Sequence, residues 1–527
     1  MPDVSQQTQK LIQRYQSWLQ SSQAKEKVAT IHVDEVASKV AAIYEKVKGV
    51  IDWREEHLLR RAAIERVLRR KMFLRIGQKV EAQPMVLEII RGGHFPNDKI
   101  EESKIPDIQK MLDKYIFIIE NSPQPKKEKN KIQLQNWLLG LAACEVEEIL
   151  DPQRKERALI DYMTELMRER IQTPTLSDEE KNTQVFIAVQ RALFKLDSPI
   201  ISYHIIKRNY SQWENISTEA LAQFTQNIYT LWNAIEKNLN HHLAGKFYAI
   251  CERYDTPYLI FGDILSQDPM TIQDKLNNPE NFESSIRNAY KTRMGKLKSR
   301  LSRAAVYTTI SIFITKMLLA FAVEFPYDKY ITQEFNFVNI AINIIIPPLL
   351  MFILVLGTKP PRKENLEKVI LETMKIVYEK DKKDSYTVRP SRKRTIVLKS
   401  ILFIFYLVTF IGVFWLIWKG LDQLHFTWLS KLIFIVFCSL ISFAGTKLRE
   451  RAKELSVEED RQGFFSFIMD WLSLPFIQLG KWLSNQWSRY NIIIVMTVAL
   501  VDLPFQVFIE FLEQWRYFVK EKKEEIK

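Results

Sequence analysis

Lys316 stands near the centre of an apolar run, Ala304–Glu324. A charged side chain in the middle of a bilayer costs about 2.5–3.5 kcal/mol on insertion scales, so it needs a partner or a water-filled cavity. Asp502, in the last apolar segment, is the expected counter-ion. Glu324, Asp470 and Glu510 rank below it, because each can sit at an interface. Such a pair can hold helices together or carry a proton or ion. The second apolar run holds Asn339 and Asn343, four apart and therefore on one helical face, followed by Pro347 and Pro348. Prolines at mid-depth kink a helix and free backbone carbonyls, and discontinuous helices of this type line substrate sites in transporters.

Other chemistries find little support. The seven histidines include no His-Glu-x-x-His and no cluster with cysteine, so no metal and no cofactor is expected. Cys144, Cys251 and Cys438 are odd in number and widely spaced, which suits free thiols in a reducing compartment. Only six of the 14 glycines precede Gly262, too few for the tight turns of a Rossmann or P-loop sheet.

The elements that must position these residues are helices. Four apolar runs, Ala304–Glu324, Phe335–Gly357, Ser400–Trp418 and Trp428–Gly445, are each long enough at about 1.5 Å per residue to cross, or nearly cross, a hydrocarbon core of roughly 30 Å. They form two hairpins, 304–357 and 400–446. Charge gives them a direction, since basic clusters mark the cytosolic side. Lys296, Lys298, Arg300 and Arg303 precede the first run without an intervening acid, and Arg392, Lys393 and Arg394 close the insert 358–399. These seven are the candidate contacts for anionic headgroups. The connections Phe325–Glu334 and Lys419–Thr427 are short and nearly neutral, as outer loops should be. The N-terminus is therefore expected in the cytosol, at a plasma or inner membrane. The slightly basic tail places the C-terminus there too.

Within the insert, Leu366, Val369, Ile370, Met374 and Val377 share one helical face, enough for a helix that lies on the bilayer or docks onto the N-terminal helices. Gly463–Trp487 carries a polar stripe of Ser466, Asp470, Ser473, Gln478, Lys481 and Ser484 opposite a wide apolar face. That pattern suits an amphipathic helix in the interface plane, over 463–489. Segment 490–527 starts apolar and ends amphipathic and charged. Four crossings fit best, and six is the alternative.

The first 300 residues read as a cytosolic helical domain: an arm over 1–33, then subdomains 34–121 and 130–300 divided by the proline- and lysine-rich Ser122–Lys129. From Asp34 to about Arg75 the pattern is one long amphipathic helix whose arginines form a solvated face with i,i+4 partners. Pro152 lies near the start of one helix, Ser177-Asp-Glu-Glu opens another as a cap, and Pro199 and Pro257 interrupt later ones.

The expected fold class is all-α, with four firm transmembrane helices in two hairpins plus C-terminal amphipathic helices. The expected function is a membrane-anchored scaffold with a protein partner on its cytosolic helices. The net charge of +13 is accounted for by lipid rather than nucleic acid. The alternative is a small transporter or channel, acting as a homo-oligomer, with Lys316 and the Pro347-Pro348 helix in its pathway. A membrane-bound enzyme ranks third.

Overall fold

A computed structural model describes residues 4–23, 29–33, 56–73, 80–125, 127–333, 336–358, 361–378, 385–390, 395–457 and 464–490, with isolated positions between 511 and 522. Among them the chain is all-α; the strands are two short pieces, Ile171–Gln172 and Tyr386–Thr387, paired in parallel. Asp502, Arg392, Lys393, Arg394, the stretch 34–55 of the long helix and most of 490–527 lie outside the described residues. The chain divides into two units, one comprising Met1–Ile286, Val369–Pro390 and Val501–Lys527, the other Arg287–Lys368 and Ser391–Leu500.

The first unit is a packed set of short helices whose ends follow the local chemistry. Ser177 and Glu180 make a reciprocal capping box at the start of Asp178–Phe194, which satisfies two amides the helix itself cannot. Pro199 and Pro257 each occupy the first turn of a helix, Ser198–Asn209 and Asp255–Gln267, where a missing amide hydrogen costs nothing. The arginines of Glu56–Phe73 are not all on a solvated face. Arg60 Nη1 donates to Asp151 Oδ2 at 3.0 Å, and Arg61 Nη2 donates to Asp197 Oδ2 at 2.6 Å, so both serve packing between helices.

Ser122–Lys129 does not divide two bodies. The helices on either side of it, Ile105–Asn121 and Glu128–Leu150, share a buried ion pair in which Lys114 Nζ donates to Glu145 Oε1 at 2.6 Å. Tyr115 Oη and Trp213 Nε1 donate to the other oxygen of Glu145 at 3.0 and 2.8 Å. A buried charge with every site filled is tolerable, whereas one stripped of its partner is strongly destabilising. The pair therefore fixes the two helices to one core, and the division at 122–129 gives way to a single unit.

Residues 369–390, between the second and third apolar runs, belong to this same unit. The helix Glu364–Tyr378 buries Val369, Ile370, Ile376 and Val377. The Val377 carbonyl accepts from Ser5 N at 3.1 Å, the Ile376 carbonyl accepts from Tyr162 Oη at 3.2 Å, and Tyr378 Oη donates to the Leu276 carbonyl at 2.8 Å. Tyr386–Thr387 then adds its strand beside Ile171–Gln172, and Val388 N donates to the Gln172 carbonyl at 2.8 Å. Of the two expected seats for this amphipathic face, protein core is the one occupied.

Among the described residues, the second unit holds four helices long and apolar enough to cross a membrane: Pro279–Ile331, whose first turns belong to the other unit, Phe337–Leu356, Ile396–Gln423 and Trp428–Ala452. The first keeps α geometry to Leu319 and widens to π geometry over Ala320–Glu324 and Tyr327–Ile331, so it runs past the expected end of its apolar run. The third is apolar outward: Phe403, Ile404, Val408, Ile411 and Leu416 are all exposed, and Leu421 is its one buried residue. Gly445 lets the second and fourth helices meet closely, since a Cβ there would lie 2.9 Å from Leu354 Cδ1.

A further helix, Phe464–Tyr490, packs along the third and fourth. Trp471 stacks on Phe405 and Phe476 meets Phe414, with ring centroids 5.3 and 5.0 Å apart. Gly480 sits on the backbone of Ser439, about halfway along the fourth helix; a Cβ would be 2.1 Å from the Ser439 carbonyl oxygen. The stretch expected in the interface plane thus has protein on one side from Trp471 to Gly480.

Candidate functional site

The most concentrated polar chemistry in the second unit centres on Glu324, at the end of the first π-helical turn. Lys316 Nζ donates to Glu324 Oε1, and both side chains are 0% exposed. A straight α-helix would set residues eight apart roughly 12 Å along the axis and about 80° apart around it. The π turn from Ala320 changes both the rise and the rotation and brings the carboxylate round to the lysine. Asn343 Nδ2, from the second helix, donates to Glu324 Oε2 at 2.5 Å, and Ser430 Oγ, from the fourth, reaches the same oxygen at 3.4 Å. Lys316 Nζ also lies 5.3 Å from the centroid of the Phe437 ring, again on the fourth helix. One carboxylate therefore ties together three of the four membrane-length helices.

A second layer of polar contacts lies toward the connections. Thr427 Oγ1 donates to the buried Asp328 at 2.9 Å and also accepts from Ser430 N, capping the fourth helix. Lys431 pairs with Asp422 and covers the Trp418 ring, with Nζ 5.2 Å from its centroid.

The two asparagines expected to act together have separate partners. Asn343 is 1% exposed and faces Glu324, while Asn339 Nδ2 donates to the His425 carbonyl at 3.0 Å. Asn343 keeps one unsatisfied group: its Oδ1 is buried with no hydrogen-bond partner. Pro347 and Pro348 are buried within a helix that continues through them. Lacking amide hydrogens, they leave the carbonyls of Asn343 and Ile344 without the usual i+4 bond. The side-chain oxygen of Asn343 thus goes unpaired one turn before the proline pair.

Of the residues singled out from sequence, Lys316 and Asn343 are brought together; Asn339, Pro347 and Pro348 line the same helix. Lys296, Lys298, Arg300 and Arg303 are exposed on the stretch of helix before the apolar run. The carboxylate on Lys316 is Glu324, which ranked below Asp502. Ser430, Asp328 and Thr427 carried no sequence signal, because serine, threonine and a loop aspartate are ordinary in such positions. Searched against protein-family models, curated proteins and solved structures, the chain matches none.

Proposed function

We propose that this is an integral membrane protein acting as a membrane-anchored scaffold, in which the first unit presents the partner-binding surface on the cytosolic side and the second unit is the anchor. The observation that carries this is the place of residues 369–390 in the core of the first unit. A folded body cannot straddle a bilayer, so the chain before the first membrane-length helix and the chain after the second lie on one side. Two crossings then separate them, as the basic flanks also favour. The outward apolar face of the third helix supports a lipid environment, because such a face in water would be an aggregation site. Anionic headgroups are the natural contacts for Lys296, Lys298, Arg300 and Arg303. The Glu324 cluster fits an anchor as well: it takes donors from three helices and leaves Lys316 paired.

A second reading, a small oligomeric transporter or channel, draws on the unpaired Oδ1 of Asn343 beside an ion pair. A bare acceptor at that position suits a proton, a water or a cation.

Topology is tested with single-cysteine variants of the full chain in sealed vesicles. Cysteine at Tyr330 and at Leu424 is expected to react with an impermeant maleimide from one face, and cysteine at Lys363 from the other. Lys363 reacting with Tyr330 would overturn the arrangement. Cross-linking mass spectrometry on native membranes should then place foreign cross-links on residues of the first unit. Solute flux in liposomes that depends on Lys316, with no such cross-links, would replace the scaffold by the second reading.

A further inference from the structure

The first unit contains an open pocket of about 90 Å³ formed by the C-terminal turns of Glu128–Leu150, the first turns of Arg154–Arg170, and the helix Ser198–Asn209. Ile160, Leu196 and Ile200 supply an apolar wall, and Glu147, Glu148 and His204 supply the chemistry.

The polar groups differ in how far they are already used. Glu148 is saturated: both guanidinium nitrogens of Arg157 donate to it, and Lys207 Nζ adds a bond at 2.7 Å. Burial works against its ionisation, but Arg157 and then Lys207 outweigh it and hold it below the usual carboxylate range. Arg157 and Lys207 are thereby taken. Glu147 is buried and poorly served. Its Oε1 lies 3.3 Å from Arg60 Nε without an aligned hydrogen bond, while Arg60 spends Nη1 on Asp151. Burial pushes its carboxyl up to about 7, against the pull of Arg60 and Arg61 and with a further push from Asp151 and Glu156.

His204 adds an acceptor of fixed identity. Gln190 Nε2 donates to the Phe186 carbonyl at 3.2 Å, so its Oε1 must be the acceptor facing His204 Nδ1 at 2.5 Å. Nδ1 therefore carries the hydrogen and Nε2 keeps its lone pair. Burial, reinforced by Arg157, pushes the imidazole down to about 3, so it stays neutral at physiological pH.

The pocket's cations are thus largely committed while two of its acceptors are not. We propose that it binds a small organic cation, an amine or amidine on an apolar body, with Glu147 and His204 meeting the cationic head and Ile160, Leu196 and Ile200 the body. Arg154, exposed at the rim, is the feature that would instead favour an anion.

The test uses the full chain in detergent, with benzamidine and phenethylamine as cationic probes and benzoate as the anionic one, read by thermal shift and calorimetry. Benzamidine or phenethylamine is expected to stabilise the protein by mass action and benzoate not. Affinity should rise with pH through about 7 as Glu147 ionises. Glu147→Gln should weaken binding about tenfold or more, which is about 1.4 kcal/mol, and remove that pH dependence. Because Glu147→Gln also touches Arg60, Gln153→Trp, which crowds the pocket without altering its charge, should independently abolish binding. Stabilisation by benzoate equal to or above that by the cations, no stabilisation by any probe at millimolar concentration, or cation binding untouched by either variant would overturn the proposal.

Discussion

Truncating the buried face of the insert helix separates its two expected seats. Ile376 and Val377 are 3% and 0% exposed, and their carbonyls accept from Tyr162 and Ser5. Truncation of a buried isoleucine to alanine costs about 2–5 kcal/mol. A valine loses roughly two methylene equivalents, at about 0.8 kcal/mol each before any cavity term. The double variant Ile376→Ala/Val377→Ala should therefore cost on the order of 4 kcal/mol, a large share of the roughly 5–15 kcal/mol that holds a domain together. The loss should fall on the first unit. Hydrogen exchange of the full chain in detergent should show faster exchange at amides around Thr8, Tyr162 and Leu276, with little change in Phe337–Leu356 or Trp428–Ala452. A fragment of residues 1–286 should lack a cooperative transition until residues 361–390 are joined to it. Unchanged exchange around Tyr162, or a fragment 1–286 that melts cooperatively at the temperature of the joined form, would refute the core assignment and return the helix to the bilayer surface.

Three further outcomes follow from single contacts. Lys316→Met leaves Glu324 buried without its cation and should cost about 3–5 kcal/mol of thermal stability in detergent; Lys316→Met/Glu324→Gln should recover most of it, and a double variant no better than the single one would deny the pair. Gly480→Ala drives a Cβ into the Ser439 backbone and should cost about 1–3 kcal/mol, while Gly412→Ala, which meets nothing within 4 Å, should be silent; equal melting temperatures would count against the helix contact. Folded Glu147 keeps its proton up to about pH 7, whereas its ordinary value is 4.5, so the folded state holds more protons across that window and loses stability as pH rises through it. The loss is at most about 3 kcal/mol, and Glu147→Gln should flatten melting temperature against pH between about 5 and 7.5.

Much of the architecture is legible in the residues, for reasons that also mark where legibility stops. Apolar length located the four helices, and the Ser177 capping box located a helix start, because both signals depend only on local chain; Pro199 and Pro257, read as interruptions, lie instead in first turns. The demand of Lys316 for a carboxylate was equally local. Its answer was not: in straight α geometry Glu324 would lie roughly 12 Å along the axis and about 80° round the helix from Lys316, and the π turn over Ala320–Glu324 brings the two together. Amphipathic periodicity found the insert helix but is blind to what its apolar face meets, lipid or protein. Similarly, the proline and charge of Ser122–Lys129 resemble a linker, while the Lys114–Glu145 pair that fuses its flanks joins residues distant in sequence.

Glu324 bears directly on the choice between anchor and carrier. A carrier has to release Lys316 from its carboxylate at some stage, and a buried ion so exposed costs several kcal/mol unless another cation or donor takes its place. The donors present belong to three helices, so exchanging them means moving those helices past one another. Close contacts at Gly445 and Gly480 resist that motion, since interdigitated backbones and side chains slide only by separating. What a carrier would need in compensation is a waiting acceptor, and among the described residues of the second unit Asn343 Oδ1 is a buried side-chain oxygen without a hydrogen-bond partner. Asn343→Leu therefore distinguishes the two: it removes a donor from Glu324 and so costs about 1–3 kcal/mol of stability in either case, but a carrier that depends on Asn343 also loses flux, whereas an anchor, with Lys316 and Glu324 still paired, keeps its cross-links to a partner.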